Sequence, residues 1–245
     1  MSRTMSYYDL RDAMAQSGCP VCRLKDDAVR RHLDGLLWES VNDSGVRHDI
    51  REARGLCQQH AWQLVEGGSS LGAVIIMRDV MQTVLRILDA ARFQPPPPSL
   101  RRRAREMLTP GNPAPANTEL VAQLGPQARC PVCLHAETTE RVLITTLIEA
   151  LRDQEDGLLA DYRASDGLCL QHLRQALSLA QTSSVFDALI GVQRDIWQRT
   201  LQQLSEIIRK EDYRFRDEPR GEETGASRRA IAALSGPQIV TTRQP

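Results

Sequence analysis

Apolar residues recur along this chain at three- and four-residue steps over long stretches. From Cys22 to about Val41 the positions Val29, Leu33, Leu36, Leu37 and Val41 fall on one side of a helix, and Leu143, Leu147, Ile148 and Leu151 repeat the pattern further on. Two longer stripes follow. Val74, Met77, Val80, Met81, Val84, Leu85 and Leu88 form one, and Val185, Leu189, Val192, Ile196, Trp197, Leu201, Leu204 and Ile208 form the other. Each stripe is predicted to face a core. No segment alternates with period two, so the pattern predicts an all-α fold.

The order of these elements is itself repeated. The string Cys19-Pro20-Val21-Cys22 returns as Cys130-Pro131-Val132-Cys133, and Gly55-Leu56-Cys57-Gln58-Gln59-His60 returns as Gly167-Leu168-Cys169-Leu170-Gln171-His172. The second and third cysteines are separated by 34 residues in the first copy and 35 in the second. Two matched motifs at matched distances identify a duplicated module. Between the copies lies a stretch with four consecutive prolines and a later "TPGNPAPA", which cannot continue a helix. The boundaries read from these breaks are a first helical module over 1–93, a Pro/Arg-rich linker over 94–117, a second module over 118–212, and a polar, breaker-rich tail over 213–245 expected to be disordered.

Composition adds little that is distinctive. Of 245 residues, 41% are hydrophobic and 25% charged, and 31 basic residues balance 31 acidic ones, so no global field attracts nucleic acid or an anionic membrane. The one dense basic run, Arg101, Arg102, Arg103 and Arg105, lacks accompanying aromatic residues and reads as a solvated face. Apolar runs such as "AVIIM" at 73–77 fall far short of the roughly 20 residues needed to cross a bilayer. The first residues show no signal-peptide core, and the expected compartment is a reducing cytoplasm, where cysteines are metal-bound or free.

The candidate chemistry is carried by sulfur. All six cysteines belong to the duplicated motifs, with two of the five histidines. The candidate metal ligands are Cys19, Cys22, Cys57 and His60 in the first copy, and Cys130, Cys133, Cys169 and His172 in the second. Three thiolates and an imidazole make a complete tetrahedral set of the kind zinc takes in structural sites. Proline after the first cysteine suits the first turn of a helix, and the glycine before each "LC" marks a break followed by a new helix. Two helix amino termini would then face each ion, their partial positive charge offsetting the thiolates. Coordination within each copy is the simpler arrangement, and exchange of ligands between the copies is the alternative. A redox dithiol is disfavoured, because that motif sits in a βαβ context that is missing from the pattern. An iron–sulfur cluster on the same residues remains the alternative cofactor. His32, His48 and His135 have no counterparts in the other copy and are not read as ligands, while Gln59 and Gln171 are read as exposed helix surface.

The paired CPxC and G-[LF]-C-x-x-H motifs, separated by long helices and occurring twice, resemble those of a family of functionally uncharacterised bacterial proteins. The likeness covers about residues 8–210 and implies metal sites without implying a reaction. The chain shows no P-loop, no H-E-x-x-H and no G-x-G-x-x-G. The function expected is therefore a non-catalytic helical scaffold with two structural zinc ions that binds another protein. An iron–sulfur or thiol-based redox sensor is the first alternative, and a nucleic-acid-associated regulator acting through the arginine run is the second.

Overall fold

The computed structural model describes residues 4–66, 70–95, 116–153, 156–215 and 217–237. Among these there are eleven helices and no strand. In chain order they are α1 (Met5–Met14), α2 (Pro20–Trp38), α3 (Ser44–Glu52), α4 (Gln58–Gln63), α5 (Leu71–Ala90), α6 (Thr118–Leu124), α7 (Pro131–Arg152), α8 (Asp156–Ala164), α9 (Leu170–Leu179), α10 (Ser183–Lys210) and α11 (Ala226–Ser235). The all-α expectation holds, and Pro20 and Pro131 open their helices as the motif predicts.

The helices gather into two compact units, and these units are not the two sequence copies. One comprises Met1–Val29 with Ala136–Pro245, the other Arg30–His135. The change of unit falls inside α2 and inside α7, so each copy gives part of its chain to both units. A boundary placed from proline-rich breaks cannot detect this, because the periodicity of α2 and α7 runs unbroken through the crossing points.

In the larger unit, Leu10 of α1 and Val21 of α2 pack with Leu147 of α7, Tyr162 of α8, Leu189 of α10 and Leu168 in the loop before α9, all fully buried. Val185, Leu189, Val192 and Ile196 line the buried face of α10 as the stripe predicts, whereas Leu201 and Ile208 near its end are exposed. Arg11 pairs with Asp161, tying α1 to α8.

The tail departs from expectation. Residues 226–235 form α11, whose first residue, Ala226, is buried, and Lys210 Nζ lies 2.8 Å from the buried Glu223 carboxylate. A polar segment with glycines at 221, 225 and 236 looks unstructured by composition, yet the Lys210–Glu223 pair and a hydrogen bond from Arg229 to Gln203 Oε1 at 2.8 Å anchor it on α10.

The smaller unit is centred on Leu36 of α2, Ile50 of α3, and Ile76 and Val80 of α5. Asp43 caps α3, its carboxylate accepting from Val46 N–H at 2.8 Å. Arg47 and Arg51 of α3 both reach Asp79 of α5, at 3.0 and 2.7 Å. The buried face of α5 is Gly72, Ala73, Ile76 and Val80, while Val74, Met81, Leu85 and Leu88 of the expected stripe are exposed. The reason is local: the run Val74-Ile75-Ile76-Met77 is apolar on every side and leaves the helix rotation undetermined by periodicity.

Residues 68–72 spell G-x-S-x-G, the pattern of a hydrolase nucleophile turn, which requires a strand ahead of the serine. Ser70 instead caps α5, its Oγ accepting from Ala73 N–H at 3.2 Å.

Candidate metal centres

All eight candidate ligands come together in two groups of four, but with partners exchanged. Cys19, Cys22, Cys169 and His172 form one cluster, and Cys57, His60, Cys130 and Cys133 form the other, with all ligand atoms of a cluster within 4.8 Å of one another. The expectation of coordination within each copy is therefore corrected: every cluster takes the CPVC of one copy and the C-x-x-H of the other. The first lies in the larger unit and the second in the smaller.

Local backbone geometry explains how the two half-sites are presented. Cys57 is the N-cap of α4 and Cys169 the N-cap of α9, both extended, so each thiol lies at the open end of its helix with the histidine one turn later. Gly55 and Gly167 precede them at φ +102° and +74°, values a side-chain-bearing residue adopts only under strain. At Gly167 space is also closed, since a Cβ would meet the Gln193 Nε2 at 2.7 Å. That amide is the clamp on the loop: Leu168 N–H donates to Gln193 Oε1 at 2.9 Å, Gln193 Nε2 donates to the Leu168 carbonyl at 3.2 Å, and the Tyr162 hydroxyl donates to the same Oε1 at 2.7 Å. Both Gln193 and Tyr162 are buried, so the unit of three is fully satisfied away from water.

The facing half-site is tied to this loop from outside. The Asp166 carboxylate accepts from Gly18 N–H at 2.7 Å and from the Ser17 hydroxyl at 2.8 Å, immediately before Cys19. In the smaller unit Gln127 N–H and Ala128 N–H donate to the Glu52 carbonyl at 2.7 and 3.2 Å, and Arg54 donates to the Gln123 carbonyl. Different residues thus join the same two loops in each unit.

Four of the six ligand-atom spacings in each cluster are those of a tetrahedron around one ion, and the other two lie within 4.8 Å. With metal–sulfur and metal–nitrogen bonds of about 2.3 and 2.0–2.1 Å, tetrahedral angles give edges of about 3.7 Å between sulfurs and about 3.5 Å from sulfur to nitrogen. In the larger unit Cys22 Sγ and Cys169 Sγ are 3.7 Å apart, and His172 Nδ1 is 3.4, 3.3 and 3.2 Å from Cys19, Cys22 and Cys169. In the smaller unit Cys57 Sγ and Cys133 Sγ are 3.6 Å apart, and His60 Nδ1 is 3.2, 3.4 and 3.7 Å from Cys57, Cys133 and Cys130. None of the cysteines is in a disulfide. Either cluster could hold a metal ion, with Nδ1 as the histidine ligand.

Electrostatics point the same way. Hydrogen bonding to Cys169 and Cys19, then burial, hold the Cys22 thiol far above its ordinary value, whereas Cys169, bonded to Cys19 and Cys22, is held far below. Burial pushes Cys133 up to about 12, with Cys57 and Cys130 acting in the same direction. Without a cation, three crowded sulfurs cannot all ionise, and some must keep protons as hydrogen-bond donors. A divalent ion replaces those protons.

Glu140 supplies support that the motifs do not reveal. His172 Nε2 lies 3.2 Å from Glu140 Oε1, and Lys25 Nζ and Gln175 Nε2 approach the same carboxylate at 3.9 and 3.5 Å. Burial pushes this carboxyl up, but the His172 bond and charge and the Lys25 charge outweigh it and hold it below the usual range. A carboxylate on the outer ring nitrogen fixes the tautomer that exposes Nδ1 to the ion. The signal was present: Glu140 is a charged residue on the buried stripe of Ala136, Leu143 and Leu147. Replacing Glu140 by Ala is expected to weaken metal retention about 10–100-fold at this cluster alone. Chelator competition, which resolves the two ions, checks this, with Glu140→Gln falling between.

The remaining candidates sit elsewhere. Gln59 and Gln171 are exposed, as expected, and so is His48. His32 and His135 stack at 4.2 Å between ring centroids and belong to neither cluster. Arg101, Arg102, Arg103 and Arg105, with nearly all of the linker, lie outside the described residues.

Fold and site together define a helical protein with two Cys3His clusters, each assembled from both copies of a duplicated motif. The chain belongs to a family of unknown function, DUF6062, whose model matches residues 1–240. It is also similar to an uncharacterized 23.9 kDa protein in the xynA 3' region of Caldicellulosiruptor sp. (strain Rt8B.4), with 40% identity over 65 residues. That match covers 26% of this chain and 32% of the relative, so it spans about a third of the relative's length. No solved structure matches the chain. No described helix is long and apolar enough to cross a membrane.

Proposed function

We propose that the protein is a non-catalytic helical scaffold, held in shape by two structural zinc ions and binding another protein in a reducing cytoplasm. The observation that carries this is the closed ligand set. Each cluster brings four donor atoms to tetrahedral spacing, whereas a catalytic zinc keeps one position for water or substrate. Four ligand atoms within 4.8 Å of one another also favour a single ion over an iron–sulfur cluster, whose irons and bridging sulfides need room between the protein ligands. The exposed apolar side chains Val74, Met81, Leu85 and Leu88 along α5 support a protein partner.

Metal analysis with a visible absorption spectrum, on protein purified without oxygen, tests the reading. The expected result is about two zinc ions per chain and no visible colour. Iron with acid-labile sulfide and visible absorption would overturn it in favour of the iron–sulfur alternative.

A further inference from the structure

The two clusters have the same ligand types and nearly the same internal spacing, but not the same access. In each, an Sγ pair is in direct contact, Cys22–Cys169 at 3.7 Å and Cys57–Cys133 at 3.6 Å, and the pair joins a CPVC cysteine to an N-cap cysteine of the other copy. Cys19, Cys22 and Cys169 are only 8, 4 and 2% exposed. Cys57, Cys130 and Cys133 are all half-buried. Support differs as well. Ten residues after the first cysteine of CPVC the second copy has Glu140, whereas the first copy has Val29, and no carboxylate bonds the outer nitrogen of His60 among the described residues.

We propose that the half-buried cluster is a thiol modification site, at which hydrogen peroxide converts Cys57 and Cys133 to a disulfide and releases the metal ion, while the buried cluster keeps its own. The inference rests on reading both clusters as zinc sites. Metal-bound thiolates are already deprotonated and nucleophilic, so with equal sulfur spacing the difference in reactivity comes from the approach of oxidant. One thiolate attacks the peroxide: an S–O bond forms, the O–O bond breaks, and the departing oxygen leaves as water after taking up a proton. The second thiolate then attacks the sulfenic sulfur. The S–S bond forms, the S–O bond breaks, and a second proton carries the hydroxide away as water. Two thiolates are oxidised by two electrons, the peroxide is reduced to two waters, and Zn²⁺ departs from the remaining Cys130 and His60. The two sulfurs need to close from 3.6 Å to about 2.05 Å, a movement within reach of side-chain rotation. The new bond joins the two copies covalently where the ion had joined them.

The test uses the full chain carrying both ions. Hydrogen peroxide is added, zinc release is followed with a chromophoric chelator, and the product is digested without reduction and mapped by mass spectrometry. The expected result is one zinc released per chain, about tenfold faster than the second, with a cross-link between the peptides bearing Cys57 and Cys133. Equal release from both clusters, early disulfides involving Cys19, Cys22 or Cys169, no release, or a first disulfide that lacks Cys57 would each overturn it. Metal content of the untreated sample separates the two readings. Two zinc ions with no response to peroxide removes this inference alone.

Discussion

A Cys22→Ser, Cys169→Ser double variant is expected to keep one metal ion per chain, and a Cys22→Ser, Cys57→Ser double variant to keep none. Both variants lose two thiols, and in both cases one comes from a CPVC motif and the other from a C-x-x-H motif. In the first variant the losses fall in one cluster; in the second they fall in two, although Cys22 and Cys57 belong to the same sequence copy. A serine hydroxyl does not ionise near neutral pH and replaces a thiolate poorly, so a structural site with one such substitution no longer holds its ion against a chelator. Stoichiometry after gel filtration in chelator reads the result directly. Coordination within each copy demands the opposite outcome, one ion for Cys22→Ser, Cys57→Ser and none for Cys22→Ser, Cys169→Ser. Cobalt substitution adds a readout of fold, because the surviving cluster must still show the charge-transfer absorption of three thiolates. Its ligands lie in one compact unit, with its own buried apolar cluster, and need nothing from the other site.

What could be read from the chain was whatever is local. The eight ligands were legible because a duplicated motif selects them from all other polar residues, and the helix starts were legible because proline after cysteine and glycine before it have one conformational meaning each. Pairing was not legible. Cys22 lies 35 positions before Cys57 and far from Cys169, yet meets the latter, since α2 and α7 each cross from one unit to the other. Periodicity reports which face of a helix is apolar, not which neighbour covers it. The same limit explains α5, where Ile76 and Val80 are buried and Met81 is not, and the tail, where Glu223 and Ala226 are fixed by Lys210 and by packing that composition does not encode. Gln193 and Asp166 hold the metal loops through amide and carboxylate hydrogen bonds, and only the folded chain brings them to Leu168 and Gly18.

Removing both ions at neutral pH is expected to abolish cooperative unfolding, and acid is expected to do the same by displacing them. A structural zinc contributes apparent binding energy on the order of 10–16 kcal/mol, against a total stability of about 5–15 kcal/mol for a typical domain, so neither unit tolerates the loss of its ion. The direction with pH follows from the ligands. Burial pushes the Cys130 thiol up, but hydrogen bonding to His60 and to backbone N–H groups outweighs it and brings it down to about 6. A lowered thiol stabilises the folded chain fully above its ordinary value of 9.0, and this contribution disappears as pH falls through about 6. His172 has the opposite sign. Burial pulls it down, yet bonds to Cys169, Cys19 and Glu140 more than offset this and raise it to about 11 in the metal-free cluster. Its contribution to the metal-free chain is complete below 6.5 and lost as pH rises through about 11, so at neutral pH a proton on Nδ1 competes with the ion for the same lone pair. Both groups make metal binding weaker in acid, Cys130 by taking up a proton and His172 by keeping one. Thermal melts at pH 7 with and without chelator, and zinc release titrated from pH 8 to pH 4, measure the two effects. Equal melting temperatures with and without bound ions would show that the apolar clusters alone hold the fold. Release that does not increase toward acid would show that the thiolates and His172 are not the ligands.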